Sequence, residues 1–393
     1  MSEPSHRFDA LTPEELVARG SMKWTRFPGT LPAWVAEMDF PVASVITDAL
    51  AQSTRVEQFG YLPPGLKSEL QQTTADFLQR YDGWSVDPER VYPTGDVLTA
   101  YEHVLNRLIP AGSPIVLPTP AYMPFISLAK LFDHPVIEVP MLDLEGNRPR
   151  LDLEAIDEAL GGEAELVVLC NPHNPLGIVH TESELRDLAE VVERRGATVF
   201  ADEIHAPLVF GDHRHIPYAS ISPEAAQHSL TATSASKAWN LPGLKCAQMV
   251  ITSDAHLAVL EPFAMTITHS AANPGIVATI AAYREGGAWL AEAREYLEGN
   301  LDLIEAFCRD HLPGAHFRRP QGSYITWLDA RAVDIGSAES PAEFFRETAH
   351  VALTDGASCG EAGIGHLRMI AATPRPILQT LLERLDAHWE LRS

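Results

Sequence analysis

Three short strings carry side chains whose types and spacing can do chemistry. Lys237, in Ser234-Ala235-Ser236-Lys237-Ala238-Trp239-Asn240, supplies a primary amine, the group that condenses with a carbonyl as a Schiff base and, once freed, acts as a general base. Asp202, in Ala201-Asp202-Glu203-Ile204-His205, supplies a carboxylate able to pair with a protonated ring nitrogen. Asn174, in Cys170-Asn171-Pro172-His173-Asn174-Pro175-Leu176-Gly177, supplies an amide in a turn fixed by Pro172, Pro175 and Gly177. Taken singly, each has a plainer meaning: a solvated surface lysine, a helix N-cap or loop carboxylate, and an Asn-Pro turn. The small Ser234, Ala235 and Ser236 leave room for a bulky anion beside Lys237, and a second cation, Lys245, follows eight residues later.

In this order and at these separations, the strings resemble the fold-type I pyridoxal-phosphate enzymes. Asp-Glu-Ile-His and Ser-Lys-Ala-Trp-Asn-Leu-Pro-Gly-Leu look like the cystathionine β-lyase or cysteine-conjugate C–S lyase branch of the aminotransferase superfamily. The resemblance extends from Trp34 to about Arg375. It implies that Lys237 holds pyridoxal 5'-phosphate, with Asp202 on the pyridine nitrogen and Asn174 on the phenolic oxygen. Tyr122, in Pro120-Ala121-Tyr122, matches the aromatic that stacks on the pyridine ring and stands with Lys237 as catalytic; its plainer reading is a core aromatic. Gly95, Asp96 and Val97, ahead of an amphipathic helix through Tyr101, Val104 and Leu108, supply N–H groups to the phosphate, and Ser234, Ser236 and Lys245 complete its cradle. Asp96 then offers its N–H while its carboxylate turns away.

Toward the substrate, the resemblance assigns the backbone amide of Ala36, in Trp34-Val35-Ala36-Glu37-Met38-Asp39-Phe40, and Arg368, whose planar fork clamps an α-carboxylate. Trp34 reads equally as a buried anchor. Tyr61, in Phe59-Gly60-Tyr61, matches a tyrosine that reaches across a dimer interface to the partner's phosphate, so the expected unit is a homodimer. Two features depart from the family pattern: Lys245 stands where an arginine is common, and Ile370 follows Arg368 at a place usually polar. His205 stands where transaminases of the superfamily often carry a tyrosine, a substitution the C–S lyases share.

The implied reaction is β-elimination from cystathionine or a cysteine S-conjugate. Lys237 removes the Cα proton, a thiolate leaves Cβ, and aminoacrylate hydrolyses to pyruvate and ammonia. A class I/II aminotransferase shares every step up to the carbanion; His205, whose plainer reading is a packing residue, and the Lys237 string favour elimination. Decarboxylation or oxidative deamination of a bulky cysteine conjugate is a third outcome on this scaffold. A pyridoxal-binding regulatory or scaffolding protein could lose Lys237 or Arg368, whereas this chain has both. Side-chain specificity falls to segments such as Tyr324 and Trp327.

These residues need a frame. Short apolar segments alternate with amphipathic stretches, as a mostly parallel sheet with crossover helices requires. Strands are expected at Ile115–Leu117, Val136–Val139, Leu166–Leu169, Thr198–Phe200, Ser229–Thr231 and Met249–Ile251. Thr181 with Glu184 forms a capping box opening a helix toward Arg195, which Gly196 ends. The three strings each follow a strand, at the carboxyl ends where open α/β sheets place ligands. The expected fold is thus α/β, with a large sheet domain over 44–284 and a smaller α+β domain over 285–393 that the segment 1–43 joins. A helix over Ala288–His311 opens the latter.

The 393-residue chain is long enough for these two cores. Its 53 acidic against 29 basic residues give a formal net charge of −24, which repels polyanions such as nucleic acid. No apolar run is long enough to span a bilayer, and Met1-Ser2-Glu3-Pro4-Ser5-His6-Arg7 carries no apolar leader, so a cytoplasmic enzyme is expected. Cys170, Cys246, Cys308 and Cys359 lie too far apart for metal-ligand or redox spacing and read as free thiols, and no metal is expected.

Overall fold

The computed structural model describes residues 6–144 and 148–392. The leader reading over Met1–Ser5 and the terminal Ser393 of the smaller domain lie outside the described residues. A short β1 (Leu31–Pro32) precedes the strands of the large sheet: β2 (Val91–Thr94), β3 (Ile115–Thr119), β4 (Val136–Pro140), β5 (Leu166–Cys170), β6 (Thr198–Asp202), β7 (Ser229–Thr233) and β8 (Ala247–Val250). Beyond them come β9 (Ile325–Asp329), β10 (Val351–Ala352), β11 (Thr354–Asp355) and β12 (His366–Ile370).

The large sheet runs β2-β8-β7-β6-β5-β3-β4; β8 is antiparallel to both its neighbours and the other pairs are parallel. Its central strands are apolar on both faces, as a sheet covered twice by helices demands. Leu166 and Val168 of β5 enter one core with Phe200, and Val167 and Leu169 enter the other with Val199 and Ala201. All six expected strands fall on β3 to β8. The strand missed is β2, which contains Pro93; at the sheet edge a residue lacking N–H is tolerated.

The helix Glu182–Arg195 has the expected capping box, and Gly196 closes it at φ +67°, a conformation glycine adopts without strain. The helix Val97–Arg107 starts on the N-cap Asp96, and the long helix covers Gly287–His311. A three-stranded antiparallel sheet, β11-β12-β9, packs among the C-terminal helices, and β1 pairs in parallel with β10. N-terminal Phe8, Trp24 and Phe40 share one core with Leu297, Leu328, Phe345 and Leu382, and Trp239 and Tyr283 also enter it. All four cysteines are buried free thiols. Among the described residues, no helix is long and apolar enough to cross a membrane.

Candidate active site

Lys237 is positioned by the turn that follows β7. Ser234 caps the short helix Ala235–Ala238, accepting from the Ser236 N–H at 3.1 Å and donating to the Cys246 carbonyl at 2.7 Å. The Ser234 hydroxyl is therefore committed to building the turn. The Lys237 Nζ donates to the Ala36 carbonyl at 2.9 Å. Its side chain lines a cleft of about 620 Å³. Burial lowers its pKa to about 8, with Arg368 adding to the effect and Glu37 and Asp202 opposing it.

Asp202 ends β6 and is 4% exposed. Its Oδ1 accepts from the Ile204 N–H at 3.1 Å. Burial pushes its pKa up to about 7, against the pull of the Ile204 N–H and Lys237. Enclosure thus drives the amine and the carboxyl toward their neutral forms, an arrangement that favours a charged partner entering between them. His205, three residues on, is buried; burial and the cations Lys237 and Arg368 hold it neutral. Its ring lies edge-on to Tyr324 at 6.3 Å.

Asn174 lies in the turn after β5, where Gly177 at φ +66° brings the backbone against Pro320; a Cβ on Gly177 would come within 2.3 Å of the Pro320 Cβ. The Asn174 Oδ1, the His205 Nδ1 and the Arg368 Nε are buried and have no hydrogen-bond partner among the described residues. Buried polar atoms are rarely left so, and here all three belong to residues lining one cleft. Tyr122 caps the helix Met123–Leu131 at the cleft wall, and burial raises its pKa.

At the other end of the cleft, Gly95 packs so closely that an added Cβ would lie 3.0 Å from the Ser270 carbonyl, and its N–H donates to the Ser270 Oγ at 2.8 Å. The Asp96 Oδ1 caps the helix, accepting from the Thr99 N–H at 2.8 Å, and its Oδ2 accepts from the Lys245 Nζ at 2.7 Å. Burial raises the Asp96 pKa, but Lys245 and Thr99 outweigh it and hold the group below the usual carboxylate range. The carboxylate is thus occupied by the helix end and by Lys245, leaving first-turn N–H groups without intrahelical acceptors.

Arg368, on β12, is 3% exposed and donates from one terminal nitrogen to the Trp34 carbonyl at 3.3 Å and to the Thr354 Oγ1 at 3.2 Å. The Ala36 carbonyl accepts from both Lys237 and, at 3.1 Å, the Tyr324 hydroxyl.

One cleft therefore gathers Ala36, Gly95, Asp96, Val97, Tyr122, Asn174, Asp202, His205, Ser234, Ser236, Lys237, Lys245 and Arg368. Tyr61 is not among them. It is 90% exposed and stacks on His269 at 5.8 Å. Trp327 stacks on His366 at 5.2 Å instead of lining the cleft. Three contributors escaped the motif reading: Ser270, Glu37 and Thr354. Ser270 belongs to no recognisable string, and Thr354 meets Arg368 only through strand pairing. Glu37 sat inside the quoted Trp34–Phe40 string as a carboxylate with no assigned partner.

The donor set fits a phosphorylated aromatic aldehyde. A helix start with a nearby cation suits the phosphate, a buried carboxyl suits a ring nitrogen, an unpartnered amide suits a ring oxygen, and an amine of lowered pKa suits an aldehyde.

Comparison with known proteins agrees with this frame. The family model for aminotransferase class I and II matches residues 35–385, and the chain belongs to this family. It is 34% identical to a cystathionine β-lyase of Corynebacterium glutamicum over 88% of this chain and 91% of that protein. It is 31% identical to the cystathionine β-lyase PatB of Bacillus subtilis, covering 95% of this chain and 98% of that protein. A Corynebacterium diphtheriae structure, provisionally named a PLP-dependent β-cystathionase, superposes with TM-score 0.91 at 36% identity, over 98% of this chain and 99% of that one. The fold is that of the fold-type I pyridoxal-phosphate enzymes, as the strings imply.

Proposed function

We propose that this chain is a pyridoxal-phosphate-dependent C–S β-lyase that cleaves cystathionine or a cysteine S-conjugate to a thiol, pyruvate and ammonia. One observation carries the reading: the enclosed amine of Lys237, of lowered pKa, shares a single cleft with the buried Asp202 carboxyl and the buried Arg368 guanidinium. Similarity to β-lyases along almost the whole chain supports elimination over transamination.

When bound, pyridoxal phosphate supplies an electron sink for the pair left on Cα as its proton departs. Lys237 and Asp202 would hold its aldehyde and ring nitrogen, with Asn174 and His205 serving its phenolic oxygen and Tyr122 its ring. The start of the helix Val97–Arg107, with Gly95, Asp96, Ser234, Ser236 and Lys245, would hold its phosphate, Ser234 and Gly95 chiefly by shaping the backbone, since the Gly95 N–H donates to Ser270. Arg368 takes the substrate α-carboxylate in a planar fork, and the Ala36 backbone lies beside it. Lys237 takes the Cα proton at Nζ, and its lowered pKa keeps a useful fraction of free amine near neutral pH. A neutral His205 keeps further positive charge away from the developing anion.

The working unit is a homodimer in which Tyr61 completes the partner's phosphate site, and the enzyme is cytoplasmic. Within each chain, residues 44–284 form the cofactor-binding domain, and 285–393 with 1–43 form the smaller one. The test is Lys237→Ala in protein supplied with pyridoxal phosphate. The variant loses thiol release from S-ethyl-L-cysteine by at least about 10³-fold and no longer retains the cofactor covalently; wild-type turnover by this variant overturns the reading.

A further inference from the structure

The Lys237 string ends on Asn240, a residue the mechanism above does not use. The loop that carries both is tied down at several points. Ser234 donates to the Cys246 carbonyl, the Trp239 indole donates to the Gly286 carbonyl at 3.0 Å, and the Leu241 N–H returns to the Ser236 carbonyl at 2.8 Å. Asn240 stands at φ +59°, a left-handed conformation that asparagine tolerates better than most side chains. Its amide reaches the N-terminal segment and clasps both backbone groups of the buried Met38. The Asn240 Oδ1 accepts from the Met38 N–H at 2.9 Å, and its Nδ2 donates to the Met38 carbonyl at 2.7 Å. One planar amide thereby satisfies a donor and an acceptor of one residue, as a neighbouring strand would.

Two residues before Met38, Ala36 is buried at the cleft wall. Its carbonyl accepts from Lys237 and Tyr324, while its N–H donates to no acceptor among the described residues. A buried N–H beside a ligand cleft is a donor for what binds there. The backbone from Trp34 to Asp39 is fastened mainly to its own end of the chain and to the C-terminal part: Trp34 to Thr354 and Arg368, Glu37 to Lys23, Asp39 to Arg19 and Ala372. Among the described residues, its hydrogen bonds to the stretch 44–284, which holds the cofactor motifs, are the one from Lys237 and the two with Asn240. The Lys237 amine is the group a cofactor aldehyde engages, so its bond to Ala36 changes when the site is loaded. The Asn240 clasp has no such duty.

We propose that Asn240 is a positioning residue: by holding Met38 it fixes the Ala36 backbone amide, and so the substrate α-carboxylate, relative to Lys237. This rests on the pyridoxal-phosphate site proposed above, with Ala36 beside the carboxylate, and not on the fate of the substrate side chain. Asn240 does not line the cleft, so it acts through the segment. A carboxylate held by Arg368 alone still binds, but Cα then swings relative to the Lys237 Nζ, and proton transfer needs that approach held within hydrogen-bond reach. The role is the same for every amino acid that enters the cleft.

The test uses Asn240→Gly in the pyridoxal-phosphate-loaded protein, because glycine keeps the left-handed backbone without strain and deletes the clasp. Calorimetric binding is compared for L-norleucine and for pentylamine, the same amine without its α-carboxylate. The variant is expected to bind norleucine roughly tenfold more weakly than the wild type, the scale of one lost hydrogen bond to a charged group, and pentylamine equally well. Equal weakening of both ligands would mean that Asn240 serves only to build the fold, and unchanged binding of both would leave it no role; either result overturns the proposal.

A second measurement uses no ligand. Hydrogen exchange at the Met38 amide should quicken by at least about tenfold in Asn240→Gly while the amides of β5 and β6 keep their protection. Asn240→Asp, which keeps the acceptor and loses the donor, should fall between the two; a Met38 amide as protected in Asn240→Gly as in the wild type contradicts the clasp. In turnover, S-methyl- and S-ethyl-L-cysteine should lose a common factor of kcat/KM in Asn240→Gly, because the defect lies at Cα, and a loss that differs between them would overturn the proposal. Failure of the wild type to release thiol from either would sink the lyase reading, while the norleucine and pentylamine comparison still decides the role of Asn240.

Discussion

At the scale of single residues, the cleft concentrates groups held away from their preferred charge. Asp202 shows it most directly, because burial raises its pKa from 3.8 to about 7 in the folded chain. Below about pH 4 the carboxyl is neutral whether the chain is folded or not. Between there and pH 7 the unfolded chain releases a proton that the folded chain keeps, so stability falls as pH rises through this window and levels above it. In cofactor-free protein, Asp202→Asn removes this penalty. Its melting temperature should exceed that of the wild type near pH 8, where the penalty removed is on the order of 4 kcal/mol, and the two should converge below about pH 4. Its activity should nevertheless fall by about 10²-fold or more, because the ring nitrogen loses its anionic partner. An Asp202→Asn protein no more stable than the wild type near pH 8 would show that the carboxyl is not penalised by burial. Asp202 and Lys237 were legible in sequence because their chemistry needs one residue type at one place in a local string. Ser270 and Thr354 reach the site from distant segments, and only the fold brings the Ser270 hydroxyl to Gly95 or the Thr354 hydroxyl to Arg368.

At the scale of elements, the strands and their crossover helices were readable where local rules act alone. The capping box of Thr181 and Glu184 and the left-handed Gly196 mark both ends of one helix within the sequence itself. The strand β2 was not readable, because Pro93 argues against a strand and only the position at the sheet edge removes the objection. Asp96 shows how a helix end reconciles an acidic side chain with an anion site, since the carboxylate is spent on the Thr99 N–H and on Lys245. Asp96→Ala removes the N-cap and should lower stability by about 1 kcal/mol. Asp96→Asn keeps the cap and frees Lys245, so it should hold stability and bind inorganic phosphate in the cofactor-free protein more tightly than the wild type. Melting curves and phosphate titration separate the two effects; weaker phosphate binding by Asp96→Asn would show that the carboxylate orders the site instead of competing for Lys245.

At the scale of the whole molecule, one core unites N-terminal Phe8, Trp24 and Phe40 with C-terminal Phe345 and Leu382, a joining expected from the sequence only as the segment 1–43, with no partner residue named. The reason lies in topology: β1 pairs with β10 more than 300 residues later, and no periodicity within either segment encodes its partner. Tyr61 belongs to this scale too. Its 90% exposure in one chain leaves it available for the role proposed for it in a second copy. The protein should sediment at about twice its 43.0 kDa chain mass. Tyr61→Phe should keep that mass while weakening pyridoxal-phosphate retention about tenfold, as the loss of one hydrogen bond to a charged phosphate implies. A monomeric wild type with full activity would remove Tyr61 from the site. The account as a whole turns on elimination, and the measurement that tests it most directly follows pyruvate and free thiol together from L-cystathionine and S-ethyl-L-cysteine, with a parallel transamination assay. Equal yields of pyruvate and thiol without an amino acceptor are predicted; keto acid formed only when an α-keto-acid acceptor is present would contradict the account and make the chain an aminotransferase.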